Sequence, residues 1–355
     1  MKLSGPDSLP FVNLEKVSQK QVEKIVDTLE IEPSDNLGVR TSESVAVAAL
    51  QVQVKGYAQL PDYIADMNSY VSGAVNHRAQ VVVFPAFAGL LPLSTAPRFG
   101  AHLQRLVLPE DEQPDSGLHA GEAVIDPQAL SDMLVQLSDY AFDAYFYTMS
   151  ALAARHRVYI AAGSTLYFEK DMLFHRAFLF GCEGELSGYQ DKICEGPLES
   201  ALHIPPESEV KVFDTPIGPI SILTGSDADH FEIARIAARL GAKILICPSA
   251  FVGAYDPVDS TLGPNMRAQE NRVYAVLSTL VGETGLGFSF EGGGRLYAPN
   301  ELLRYKNGVA AKTSGGHGPD VACLSLGLSK LDDIRNPYTQ DVNFEFLRKN
   351  IDRLY

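Results

Sequence analysis

The sequence predicts an α/β domain whose sheets are buried on both faces. Three observations predict it: strand-like runs recur singly, helix-compatible stretches separate them, and several of the strands are apolar at every position. A sheet with one wet face would instead alternate apolar and polar side chains.

Residues 1–43 read as an N-terminal extension, with a charged, weakly amphipathic helix over Gln19–Leu29 and a polar, turn-rich stretch after it. Val45–Gln51 (VAVAALQ) is the first strand, Pro61–Arg78 carries helical spacing, and Gln80–Phe84 (QVVVF) is a buried strand stopped by Pro85. An acidic insertion follows at about 91–127. It is too long for an ordinary loop and is expected to contain local helix or to line a site. Helix resumes at Leu130–Arg155, strands follow at Val158–Ala162 and Ala177–Gly181, and Glu183-Gly184 supplies a turn.

The second half repeats the rhythm. Pro219–Thr224 is a strand, and Phe231–Leu240 is a helix closed by Gly241. Lys243–Cys247 is a strand stopped by Pro248, Asn265–Asn271 starts or ends a helix, and Val273–Val281 is a long β-type run. Short strands are expected at Arg295–Tyr297 and Val321–Leu326. No composition break divides residues 44–328, which read as one domain; 329–355 is a tail expected to serve as an interface.

The 355 residues carry a formal charge of −15 with no long basic run. Nucleic acid and anionic membrane surfaces are therefore poor partners, because both need a positive face. No uninterrupted apolar stretch reaches membrane-spanning length, and the N-terminus has no apolar signal region. Cys182, Cys194, Cys247 and Cys323 show no CxxC spacing and read as free thiols, which fits a cytoplasmic protein. There is no GxxxxGK[ST] loop, no HExxH and no GxSxG elbow. The glycines at 282–294 lack GxGxxG spacing, and the eight histidines are dispersed. No metal and no cofactor are expected.

Three segments carry more information: VVVFPAF (81–87), GELSGYQDKICEGPLES (184–200) and FDTPIGPISILTGSDADHFEIARIAARLGAKILICPSAF (213–251). With VAVAALQ, VYIAAGS (158–164) and MRAQENRVYAV (266–276), their order and spacing resemble the nitrilase superfamily of carbon–nitrogen hydrolases over essentially the whole domain. The resemblance implies a four-layer αββα sandwich, usually dimerised into an αββα–αββα arrangement. It also implies a site built from Glu, Lys and Cys. There the thiolate attacks a nitrile or amide carbon, the carboxylate moves its proton and the ammonium stabilises the developing oxyanion.

Carried over by position, that site is incomplete. The family's F-P-E is Phe84-Pro85-Ala86 and its I-C-x-D is Thr224-Gly225-Ser226-Asp227, whereas its lysine is kept as Lys192. Asp227, Glu232 and Arg235 keep the pattern beyond the elbow, while His230 and Phe231 depart from it. Glycine cannot form a thioester and alanine cannot accept a proton, a function that alone supplies a factor of about 10²–10⁴.

Lys192 is either an anion binder or a relic paired with Asp191, Glu199 or Asp227. Cys194 is either a displaced nucleophile or an inert small side chain. Glu199 is a candidate accessory glutamate. Asp229 and His230 either cap the next helix or polarise the pocket, and Ser249 and Phe251 are candidates for its substrate side. Strand alternation would turn Ser226 away from the position that residue 225 faces.

Three functions stay open. The chain is a nitrilase-like protein without hydrolysis that retains a small-molecule pocket, a repurposed enzyme acting through Lys192, or a structural partner. A homo-oligomer is expected in each case.

Overall fold

Apolar runs flanked by Gly and Pro set the strands, and the helices between them are capped or started by short polar residues and proline. The computed structural model describes residues 16–30, 44–107, 118–120, 123–253, 263–340 and 343–351. Most of the expected extension (1–15 and 31–43) and two stretches of the insertion (108–117 and 121–122) therefore lie outside the described residues.

Helix α1 (Gln19–Asp27) is capped by Ser18, whose hydroxyl accepts from the Gln21 amide. Although it belongs to the expected extension, its Val22 and Val26 are buried in the core. Next come β1 (Ser44–Gln53), α2 (Leu60–Asn76) and β2 (Val81–Val83), then a 3₁₀ segment at Ala88–Thr95. Within the insertion, α3 (Phe99–Leu103) and the small hairpin β3 (Leu118–Ala120)–β4 (Ala123–Ile125) are described.

Helix α4 (Pro127–His156) has Asp126 as its cap and Pro127 as its first residue. It leads into β5 (Tyr159–Glu169), β6 (Met172–Phe180) and β7 (Leu186–Asp191). The expected strand at Ala177–Gly181 is thus longer. It pairs back on β5 through a two-residue turn, Lys170-Asp171, with both residues at positive φ. That turn carries no glycine, so the local sequence does not announce it.

The second half runs α5 (Pro197–Ala201), β8 (Ile220–Ile222), α6 (Phe231–Arg239), β9 (Ile244–Ser249) and β10 (Phe251–Val252). After these come α7 (Pro264–Asn271), β11 (Tyr274–Glu283), β12 (Ser289–Glu291), β13 (Arg295–Tyr297), β14 (Val309–Lys312) and β15 (Asp320–Gly327). The tail forms α8 (Leu328–Gln340) and α9 (Phe344–Asn350). Leu331 of α8 is fully buried, and the Arg335 guanidinium donates to the Ala242 carbonyl at 2.9 Å.

Period-two alternation sorts the strands into layers. Ala48, Leu50 and Val52 of β1, Val82 of β2 and Ile160 and Ala162 of β5 pack under α2 and α4. Their neighbours Val45, Val47, Ala49, Val81, Val83, Tyr159 and Ala161 point the other way, against Ile220 and Ile222 of β8, Ile244 and Ile246 of β9, and Tyr274 and Val276 of β11. The opposite faces of β9 and β11, through Leu245, Cys247, Ala275 and Leu277, pack on α6 and Ala268 of α7. Helix, sheet, sheet and helix therefore follow in order. This is the αββα architecture that the sequence implies, and each apolar run is buried on both sides.

The two sheets join where β1 and β11 pair in parallel at Gln51–Gln53 and Thr279–Val281. Buried Ser278 ties the junction: its hydroxyl lies within hydrogen-bond reach of the carbonyls of Leu50 and of Val83, the latter at 2.8 Å, and its single proton serves one or the other.

Candidate functional site

Lys192 leaves the end of β7 with its side chain 5% exposed. The strand is anchored there by Asp191, which takes Arg176 Nε at 2.6 Å and the second guanidinium nitrogen at 2.9 Å, while that guanidinium lies 4.1 Å above the Tyr189 ring. Asp191 is therefore engaged with Arg176. The Lys192 ammonium instead donates to Ser226 Oγ at 2.9 Å and to the Cys194 carbonyl, with Asp227 Oδ1 at 3.7 Å and Glu199 Oε2 at 3.9 Å.

Asp227 has no exposed surface. Its carboxylate accepts from the amides of Cys194 at 2.7 Å and Ile193 at 3.1 Å, which pins the turn beyond Lys192. Burial raises its pKa, against the lowering effect of Lys192 and of those two amides. Glu199, in the short helix α5, accepts from the Gly196 amide at 2.9 Å and meets His175 Nδ1 at 2.7 Å. Burial alone would raise the Glu199 carboxyl. The hydrogen bond from His175, together with the nearby Lys192 ammonium, outweighs burial and holds it below its ordinary value.

Gly225 opens a 3₁₀ turn, Gly225–Asp229, at φ +55°. A Cβ built on it would meet only Lys192 Cε, at 3.8 Å. That turn overturns the expectation from strand alternation: residues 225 and 226 are not in a strand, and Ser226 faces Lys192. The Cys194 thiol is pushed up to about 11, chiefly by burial and then by Asp227. A thiol so placed is mostly protonated near neutrality.

The remaining candidates are more peripheral. Asp229 and His230 are exposed by surface area, and His230, at the cap of α6, makes no capping hydrogen bond through its side chain. Burial nonetheless raises the Asp229 carboxyl, even though His230 and Arg267 lower it. Ser249 is buried at the end of β9, level with Thr279, and Phe251 is half-buried just beyond. Ala86 is buried after β2, and the next residue, Phe87, is half-buried with φ +60°.

Phe87 leads to residues that the sequence did not single out. Its amide donates to Ser164 Oγ at 3.1 Å, and its ring stacks 4.8 Å from that of His175. Ser164 Oγ lies 2.7 Å from His175 Nε2. A chain of hydrogen bonds thus runs from the Phe87 amide through Ser164 and His175 to Glu199 beside Lys192. The one available signal was His175 itself, a single imidazole in the otherwise apolar inward pattern of LFHRAFLF. Among the described residues no group of His, Cys, Asp and Glu side chains has metal-binding geometry, and no helix is long and apolar enough to cross a membrane.

The sequence model of the carbon–nitrogen hydrolase family matches residues 46–302. A probable hydrolase of Bacillus subtilis, YhcX, is 24% identical over 296 residues, covering 82% of this chain and 51% of its own length. A chloroplastic omega-amidase of Arabidopsis thaliana is 28% identical over 160 residues, covering 42% and 43%. The chain thus spans about half the length of these relatives. Among solved structures, an amidase from Nesterenkonia sp. AN1 superposes with a TM-score of 0.62 at 20% identity, over 88% of this chain and 98% of that one. Nit3 of Saccharomyces cerevisiae superposes with a TM-score of 0.59 at 17% identity, over 86% and 98%. At such identities these superpositions carry the fold alone, and the family match carries membership: the chain belongs to the carbon–nitrogen hydrolase family.

Proposed function

We propose that this chain keeps the carbon–nitrogen hydrolase architecture without the thiol-dependent hydrolysis, and that it binds an uncharged small molecule in the space beside Lys192 and Gly225. The observation that carries this reading is Gly225. The backbone there holds a left-handed, elbow-like conformation and leaves room for a side chain against Lys192, yet offers no nucleophile. Cys194 does not replace it, because burial keeps its thiol protonated.

The names of the relatives point to amide hydrolysis, which needs an attacking atom and a proton acceptor. Ala86 and Gly225 supply neither. The ligand is uncharged because two carboxylates, Glu199 and Asp227, already surround the single ammonium, so an added anion would meet net repulsion.

Ammonia release from a panel of nitriles, amides and carbamoyl amines tests the reading. The expected outcome is no release above the buffer blank from the unaltered chain, and measurable release once Ala86→Glu and Gly225→Cys are combined. Release by the unaltered chain that disappears in Lys192→Ala would overturn it.

A further inference from the structure

We infer that Ser164, His175 and Glu199 form a nucleophilic triad for uncharged acyl esters, with the Phe87 amide as its oxyanion donor. The inference goes beyond the reading above, which concerns only the chemistry at residues 86, 192 and 225.

Three groups on three different elements meet in the order such chemistry needs. The hydroxyl is 2.7 Å from one imidazole nitrogen, and the other imidazole nitrogen is 2.7 Å from a carboxylate. The diagonal relation across the β5–β6 pair sets the first contact: His175 lies opposite Leu166, so its side chain shares a face with Ser164 two residues back. The capping geometry of α5 sets the second. The Gly196 amide holds Glu199 Oε2, which leaves Oε1 for His175. One proton assignment gives every donor a single acceptor. Nδ1–H donates to Glu199, the Ser164 hydroxyl donates to Nε2, and the Phe87 amide donates to Ser164 Oγ. This tautomer puts the free lone pair of the imidazole on the serine, as a general base requires.

The step balances without a cofactor. Ser164 Oγ bonds to the acyl carbon as its proton passes to His175 Nε2. The carbonyl electron pair moves onto the oxygen, beside the Phe87 N–H that now lies 3.1 Å from Oγ. Collapse breaks the carbon–oxygen bond to the leaving alkoxide, which takes the proton from Nε2. Water then repeats the cycle, releasing the carboxylic acid and restoring the hydroxyl.

Ser164 has no exposed surface, and Phe87 is its cover, with the amide on Oγ and the ring on His175. That ring is half-buried, and an ester reaches Ser164 when it swings aside. The surrounding side chains choose the substrate. Phe87 packs against the apolar cluster that includes Leu166, Leu202 and Ile204, which suits an apolar acyl group, while the excess of carboxylates disfavours an anionic one.

A fluorophosphonate probe, which phosphonylates an activated serine, tests this on the full chain, with intact mass and peptide mapping as the readout. The expected result is a single adduct at Ser164, formed faster in Phe87→Ala, absent in Ser164→Ala and slowed at least about 100-fold in His175→Gln. Melting curves confirm that each variant is folded. Ser164→Cys gives a second measurement: its alkylation by iodoacetamide should stay fast well below the pH at which an ordinary thiol ionises. A folded Phe87→Ala chain that takes no adduct at Ser164, or an adduct rate indifferent to His175→Gln, overturns the triad. Neither result bears on ammonia release, so the two readings fail separately.

Discussion

Two buried histidines show how a single residue couples chemistry to stability. His175 is held between a hydroxyl and a carboxylate, whereas the His156 ring, 2% exposed at the end of α4, sets Nε2 2.7 Å from the Asn68 side-chain oxygen. Burial, and then the charge of Arg155, lowers the His156 pKa from 6.5 to about 4. The unfolded chain therefore binds a proton between those values that the folded chain refuses. The neutral imidazole contributes its full stability above pH 6.5, and that contribution is lost as the pH falls toward 4. The loss is on the order of 3 kcal/mol. Urea midpoints measured at pH 7 and pH 4.5 should fall with acid, and His156→Gln should remove a measurable part of that fall. An identical acid response in the variant would show that other groups carry it.

At the scale of elements, the turn after β8 sets what can stand beside Lys192. Gly225 sits at φ +55° with open space around it, whereas Gly163 at φ +73° would drive a Cβ to 1.8 Å from the Pro85 carbonyl oxygen. Gly225→Ala should then cost only the left-handed backbone preference, about 1–2 kcal/mol in chemical denaturation. Gly163→Ala should cost several times more or prevent folding. Equal losses in the two variants would show that the space beside Lys192 is not open.

The same elements show what a sequence can disclose. Strands β1, β2, β9 and β11 were legible because being buried on both faces leaves an unbroken apolar run. Strand β7, LSGYQD, was not, because one of its faces is covered by the Arg176 guanidinium, paired with Asp191 and lying over Tyr189, rather than by aliphatic packing. Lys192, Glu199 and Gly225 stand in motifs that could be found by their order along the chain. Ser164 and His175 meet only through the register of β5 and β6, and Phe87 reaches them from a separate loop. Nothing local in the sequence encodes that encounter. Ser226 was misplaced for a related reason, since alternation assumes a strand and the chain turns into a 3₁₀ segment one residue earlier.

At the scale of the whole molecule, one group of exposed apolar side chains stands on α6 and the adjoining α7. Phe231, Ile236 and Leu240, in and just after α6, are 45%, 49% and 59% exposed, and Met266 on the neighbouring α7 is 41% exposed. Helix α6 thus has two apolar faces: Ile233, Ala234 and Ala237 cover the sheet, and the others meet solvent. A second apolar face on a core helix favours association, and pairing with the same patch of another copy satisfies it symmetrically. Two chains of charge −15 repel, so salt should strengthen the association by screening that repulsion while leaving the apolar contact intact. Light scattering across a dilution series should give a dimer mass that persists to lower concentration in 0.5 M than in 0.05 M salt. Ile236→Asp combined with Leu240→Asp should give a monomer with an unchanged far-ultraviolet circular dichroism spectrum. If the unaltered chain is monomeric at every concentration and salt, the patch must be assigned to a different partner. If the double variant remains dimeric, the contact lies elsewhere on the molecule.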